Sequence, residues 1–164
     1  MRLRFTFAVR AVVVFGTPAV LGAPPGSAGE PFGHIVPLRE HTSGQLYVEG
    51  VLSGSVETEF LVDTGSGYVA LSRTTFDTLR RNAPVEHVRD IYGEMANGKL
   101  LKVPVYRIGE LSIGAACRLT DVEVVVLPSG ARDILGLSAL KRLEPFALEF
   151  SPPQLWVTDC EIHT

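Results

Sequence analysis

The chain has 164 residues, enough for one domain with a single core but short of two. Apolar residues make up 46% and charged ones 20%, which excludes a disordered chain. A formal charge of -3 leaves no basic footprint, so nucleic acid is excluded as a partner.

Arg2, Arg4 and Arg10 precede and flank an apolar run that begins at Ala11 and continues to Ala23. Gly26-Ser27-Ala28 then offers the small side chains that a signal peptidase reads. Residues 1–28 are therefore expected to be a secretory signal, or else an uncleaved N-terminal membrane anchor. The run is short and interrupted by Pro18, which argues against a conventional spanning helix. The expected location is exported, periplasmic or secreted, with inner-membrane anchoring as the alternative. Removing 1–28 takes away three Arg and no acids, so the mature domain is more acidic than the whole chain.

Residues 29–44 read as a linker and first strand, with Pro24 to Gly33 rich in Pro, Gly and Ser. The folded domain is expected over 45–164. Strand patterns follow closely at Gln45 to Leu52, Glu57 to Val62 and Tyr68 to Leu71. Ser72 reads as an N-cap for a short helix from Arg73 to Arg81, with Phe76 and Leu79 on one face. Val88 to Met95 and Leu100 to Ile108 flank Asn97-Gly98, the strongest short hairpin signal because both residues tolerate positive φ. Leu111 to Cys117 and Asp121 to Leu127 read as two further strands. Ile134-Leu135-Gly136 precedes a second short helix from Ser138 to Leu143. Phe146 to Phe150 and Gln154 to Val157 close the pattern around Ser151-Pro152-Pro153. The sum is an all-β domain with two short helices.

Phe60-Leu61-Val62 runs into Asp63-Thr64-Gly65-Ser66, placing a carboxylate at the end of an apolar strand. Asp is rare in such positions without a partner or a task, although Asp-x-Gly also closes ordinary turns. His34, His41, His87 and His163 share no ligand spacing, so no metal site is expected. Neither a nucleophile elbow nor a glycine-rich phosphate loop is present, and no cofactor is implied. Cys117 and Cys160 are the only cysteines. They fit a disulfide in an exported protein, two small buried side chains, or an intermolecular bridge through Cys160.

The Asp63-Thr64-Gly65-Ser66 segment, the Asn97-Gly98 hairpin and Ile134-Leu135-Gly136 before a helix together resemble a retropepsin-like aspartic protease. The closer resemblance is to the bacterial retroviral-type members, which are small and exported or membrane-tethered. It covers roughly Gln45 to Val157. The resemblance implies a closed β-barrel-like acid protease fold and a homodimer, because the catalytic unit needs two carboxylates and this chain supplies one. It assigns Asp63, Thr64 and Gly65 to catalysis, with Thr64 bonding across the dimer axis. Ser66 would support the carboxylate at the substrate site. Ala96, Asn97 and Gly98 would form a flap over a polypeptide substrate, and Ile134, Leu135 and Gly136 the loop beneath the catalytic turn. Such a carboxylate pair shares one proton over a range of acid pH, so acid-shifted activity is the default. The alternatives are a catalytically inactive dimerisation or peptide-binding module of the same fold, and an unrelated β domain in which Asp63 caps a turn.

Overall fold

The computed structural model describes residues 32–94, 98, 100–115, 117–158 and 160. The expected signal over 1–28 lies outside them. Strands β1 (His34–Pro37), β2 (Arg39–Glu40), β3 (Leu46–Leu52) and β4 (Val56–Val62) come first. Strand β5 (Val69–Ser72) leads into helix α1 (Arg73–Asn82), followed by the hairpin β6 (Val85–Glu94) and β7 (Leu100–Ile113). Then come β8 (Cys117–Leu127), the two-residue β9 (Ile134–Leu135), and α2 (Leu137–Leu140), which tightens into a 3-10 turn over Lys141–Leu143. Strands β10 (Phe146–Phe150) and β11 (Pro153–Val157) end the described chain.

The larger sheet runs β2-β3-β4-β9-β5-β8-β7-β6, and an extra pairing of β3 with β7 closes six of these strands into a barrel. Strand alternation fills the barrel: Val122, Val124 and Val126 of β8 join Val69, Leu71, Phe60 and Ile108 in the main core. The residues between them face the other way. Ala70, Val103, Val105 and Val125 form a second apolar cluster on the opposite face of the same strands. Helix α1 starts where Ser72 Oγ accepts the Thr75 N–H at 3.1 Å, and it buries Phe76 and Leu79 against the barrel.

Two expectations differ from the structure. Leu111 to Cys117 is not a separate strand: its first part continues β7, whose ladder with β8 holds from Glu110 to Ile113. The turn comes at Gly114-Ala115, and β8 begins at Cys117, earlier than Asp121. Pairing with a long partner carries β7 past Gly109, and the break falls at Gly114, where φ is +56°. The incoming arm of the hairpin also starts earlier, at Val85, because β7 offers it a partner along its whole length.

The two ends of the described chain meet in a small sheet of order β1-β11-β10, with His34 opposite Val157 and Pro37 opposite Gln154. A Cys117–Cys160 disulfide ties the segment after β11 to the first residue of β8, across 43 residues of sequence. Both cysteines are buried in the main core. Of the three readings open for the cysteines, this is the intramolecular bridge. Closing a loop of that length is worth about 4 kcal/mol through the unfolded chain. Reduction, or Cys160→Ser, is therefore expected to lower unfolding free energy by about that amount in a denaturant titration.

Candidate active site

The Asp63 turn follows directly from β4, and its position is set by β9. Leu61 and Val62 run parallel to Ile134 and Leu135, with Leu61 N–H donating to Asp133 O at 2.9 Å and Asp63 N–H to Leu135 O at 3.1 Å. Beyond β9 the chain passes under the turn. Leu137 N–H donates to Ser66 O at 2.8 Å, Ser138 N–H to Gly67 O at 3.1 Å, and Ser138 Oγ accepts the Val69 N–H at 3.0 Å. The β9–α2 segment thus grips the turn on both sides.

This grip requires glycine at 136. A Cβ there would collide with the carbonyl oxygen of Tyr68 and stand 2.8 Å from that of Ser66. Within the turn, Asp63 Oδ1 accepts the Gly65 N–H at 2.8 Å, and Ser66 N–H donates to Asp63 O at 3.2 Å. The Asp63 side is half-buried, while Thr64 and Gly65 are exposed at the surface of the single chain. The Ser66 hydroxyl donates to Tyr68 O at 2.9 Å rather than to the Asp63 carboxylate. The turn is tight enough that the hydroxyl reaches the backbone two residues on.

Ile134 packs half-buried against the second apolar cluster, beside Tyr68 and Leu127. Ile91 of β6 and Leu101 of β7 pack on the same cluster from the hairpin. The β6–β7 hairpin therefore shares an apolar surface with the segment under the Asp63 turn. At its tip Gly98 has φ +76°, the left-handed conformation that an Asn-Gly turn demands. Ala96 and Asn97 lie outside the described residues.

The structure adds Asp133, which sequence reasoning passed over. It is buried, and its Oδ1 accepts the Ser72 N–H at 2.6 Å. Its Oδ2 accepts the hydroxyls of Thr58 at 2.6 Å and Thr75 at 2.7 Å. One carboxylate thereby joins β4, the start of α1 and the entry to β9. The only signal for it in the sequence is an acid immediately before the Ile134-Leu135-Gly136 run.

A six-stranded barrel with an Asp-Thr-Gly turn above a Leu-Gly crossing, and a long hairpin beside it, defines a retropepsin-like aspartic protease fold. A crystal structure of a retropepsin-like aspartic protease from Rickettsia conorii has the same fold. It superposes with a TM-score of 0.55 at 20% identity, covering 76% of this chain and 89% of that one. The family model for gag-polyprotein putative aspartyl protease matches residues 48–142, and the chain belongs to that family. No curated protein matches the sequence.

Gly136→Ala is expected to cost about 1–3 kcal/mol, because the methyl group meets backbone rather than a yielding side chain. Asp133→Ala should cost about 3 kcal/mol by stranding the Ser72 N–H and two hydroxyls. Urea unfolding of both variants checks these values, and an unchanged midpoint for Gly136→Ala would contradict the close crossing.

Proposed function

We propose that this protein is an aspartic endopeptidase whose active site forms when two copies bring their Asp63 turns together. The observation that carries the reading is the half-buried Asp63 carboxylate, fixed by β9 and presented beside exposed Thr64 on a retropepsin-like fold. One chain supplies one such turn, so the paired-carboxylate chemistry needs an isologous homodimer.

In that pair the two carboxylates share one proton, because like charges at hydrogen-bond distance do not both ionise. The charged member takes a proton from water as its oxygen attacks the scissile carbonyl carbon. The protonated member gives its proton to the carbonyl oxygen. As the tetrahedral intermediate collapses and the C–N bond breaks, the carboxyl that took the proton from water gives it to the departing nitrogen. The other carboxylate regains a proton from the diol hydroxyl. The polypeptide lies extended between the β6–β7 hairpin, acting as a lid with Gly98 at its tip, and the Ile134-Leu135-Gly136 floor.

We place the domain outside the cytoplasm, as a periplasmic or secreted protein or one held at the inner membrane by its N-terminus. The basic, apolar and small-residue order over 1–28 supports export, and the Cys117–Cys160 bridge favours an oxidising compartment.

Asp63→Asn should lower kcat/KM on a susceptible peptide by at least about a hundredfold, in line with loss of general acid–base catalysis. Undiminished cleavage by the Asn variant would refute the assignment. Wild-type specific activity should rise with protein concentration as dimers form. Added Asp63→Asn chain should depress it, because mixed dimers hold a single native carboxylate. Full activity from a species that sediments strictly as a monomer would exclude the shared site.

A further inference from the structure

Beside the second apolar cluster lies an ordered polar group outside the catalytic turn. Arg89 of β6 makes two parallel hydrogen bonds to Glu123 of β8, Nη1 to Oε1 at 2.8 Å and Nη2 to Oε2 at 2.7 Å. The same Nη2 lies 3.4 Å from the Tyr68 hydroxyl, and Arg107 of β7 stands 3.8 Å from Glu123. Arg107 is itself 3.5 Å from Glu86.

A bulge puts Arg89 there. His87 opposes Tyr106, but Arg89 opposes Val105, so β6 carries one extra residue between them. Paired residues point to the same face, and Val105 belongs to the second cluster. Without the extra residue Arg89 would share the face of His87. The bulge turns it onto the face of Ala70, Val105 and Val125. Tyr68 shares this face as well, two residues before Ala70, and its backbone carbonyl is the one that accepts from Ser66 and lies against Gly136. Side chain and backbone of Tyr68 therefore touch the root of the hairpin and the catalytic turn respectively.

We infer that the Arg89–Glu123 pair is a latch that fixes the root of the β6–β7 hairpin over the cleft, with Arg89 and Glu123 as positioning residues for substrate capture. This rests on the hairpin acting as the lid of the proposed protease. A planar fork on a carboxylate sets direction as well as distance, which a single point charge does not. Hydrogen bonding to Arg89 is the main cause that holds the Glu123 carboxyl below the usual carboxylate range, with charge from Arg89 and Arg107 adding to it. Of the groups facing Glu123, Arg89 and Arg107 are cations and Tyr68 reaches it through Arg89. The pair therefore persists to lower pH than an unpartnered carboxylate would allow, and is lost as pH drops through the lowered value.

The test compares full-length wild type with Glu123→Gln, Arg89→Gln, Arg89→Lys and the swap Arg89→Glu/Glu123→Arg. Amide hydrogen exchange across 86–94 is read without substrate, and KM and kcat are read on a cleaved peptide. Both Gln variants should exchange faster in 86–94 than wild type and raise KM about fivefold with kcat little changed, as expected where binding rather than chemistry is disturbed. Arg89→Lys should fall between, and the swap should recover part of both effects. Wild-type exchange rates in the Gln variants would overturn the latch. Faster exchange with unchanged KM would overturn its role in substrate capture. If wild type cuts no peptide, the protease reading fails, and the exchange data still decide whether the latch exists.

Discussion

The parallel contact between β4 and β9, with Gly136 passing under the Asp63 turn, is the constraint on which the rest of the site depends. β9 is only two residues long, so its own ladder could not hold it in place. Its position comes from outside. Asp133 immediately before it is bonded to Thr58, Ser72 and Thr75, and Leu137 and Ser138 immediately after it are bonded to the far side of the turn. The carboxylate cluster of bonds fixes where the segment enters, and glycine fixes how closely it passes. Together they convert a surface turn, which would ordinarily be mobile, into a rigid mount for Asp63.

A rigid mount matters because the proposed chemistry divides one site between two chains. An active centre assembled across a two-fold axis has no covalent link to set the separation of its halves. Every error in the position of one turn is repeated in the other. Exposed Thr64 and half-buried Asp63 make sense as a surface that a second copy completes, since a polar turn is easily hydrated when alone. The disulfide adds a constraint of a different kind. It holds the sheet made by the chain ends against the barrel, so that β1, β10 and β11 move with the body that carries Asp63.

Much of this is legible in the sequence where the signal is local. The Asp63 turn stands out because an acid ends an apolar run. Asn97-Gly98 announces a hairpin, and Ser72 announces a helix start. Ile134-Leu135-Gly136 gains meaning only beside the Asp63 turn, since Ile-Leu-Gly before a helix is commonplace. What is not legible is non-local. Asp133 reads as an ordinary loop acid until the fold brings Thr58 and Thr75, far away in sequence, onto its two oxygens. The pairing of β1 with β11 joins opposite ends of the domain, and strand periodicity carries no information about partners. The bulge at Val88 is invisible for the same reason: it is a property of two strands in register. The glycine at 109 misleads by suggesting a break that the long ladder with β8 does not make.

The strands of this barrel use both faces, and the two faces serve different ends. Val69, Leu71, Val124 and Val126 point inward and build the core that any closed barrel needs. Ala70 and Val125, one residue out of phase, build an apolar surface that the core does not require. Such a surface is a liability on a free protein unless something covers it. Here the hairpin residues Ile91 and Leu101 cover part of it, and the polar groups around its rim are ordered by specific bonds. The Asp63 turn borders it through Ile134, while Tyr68, Arg89 and Glu123 border it elsewhere. A single alternation in β5 and β8 thus builds one apolar cluster on each side of the wall.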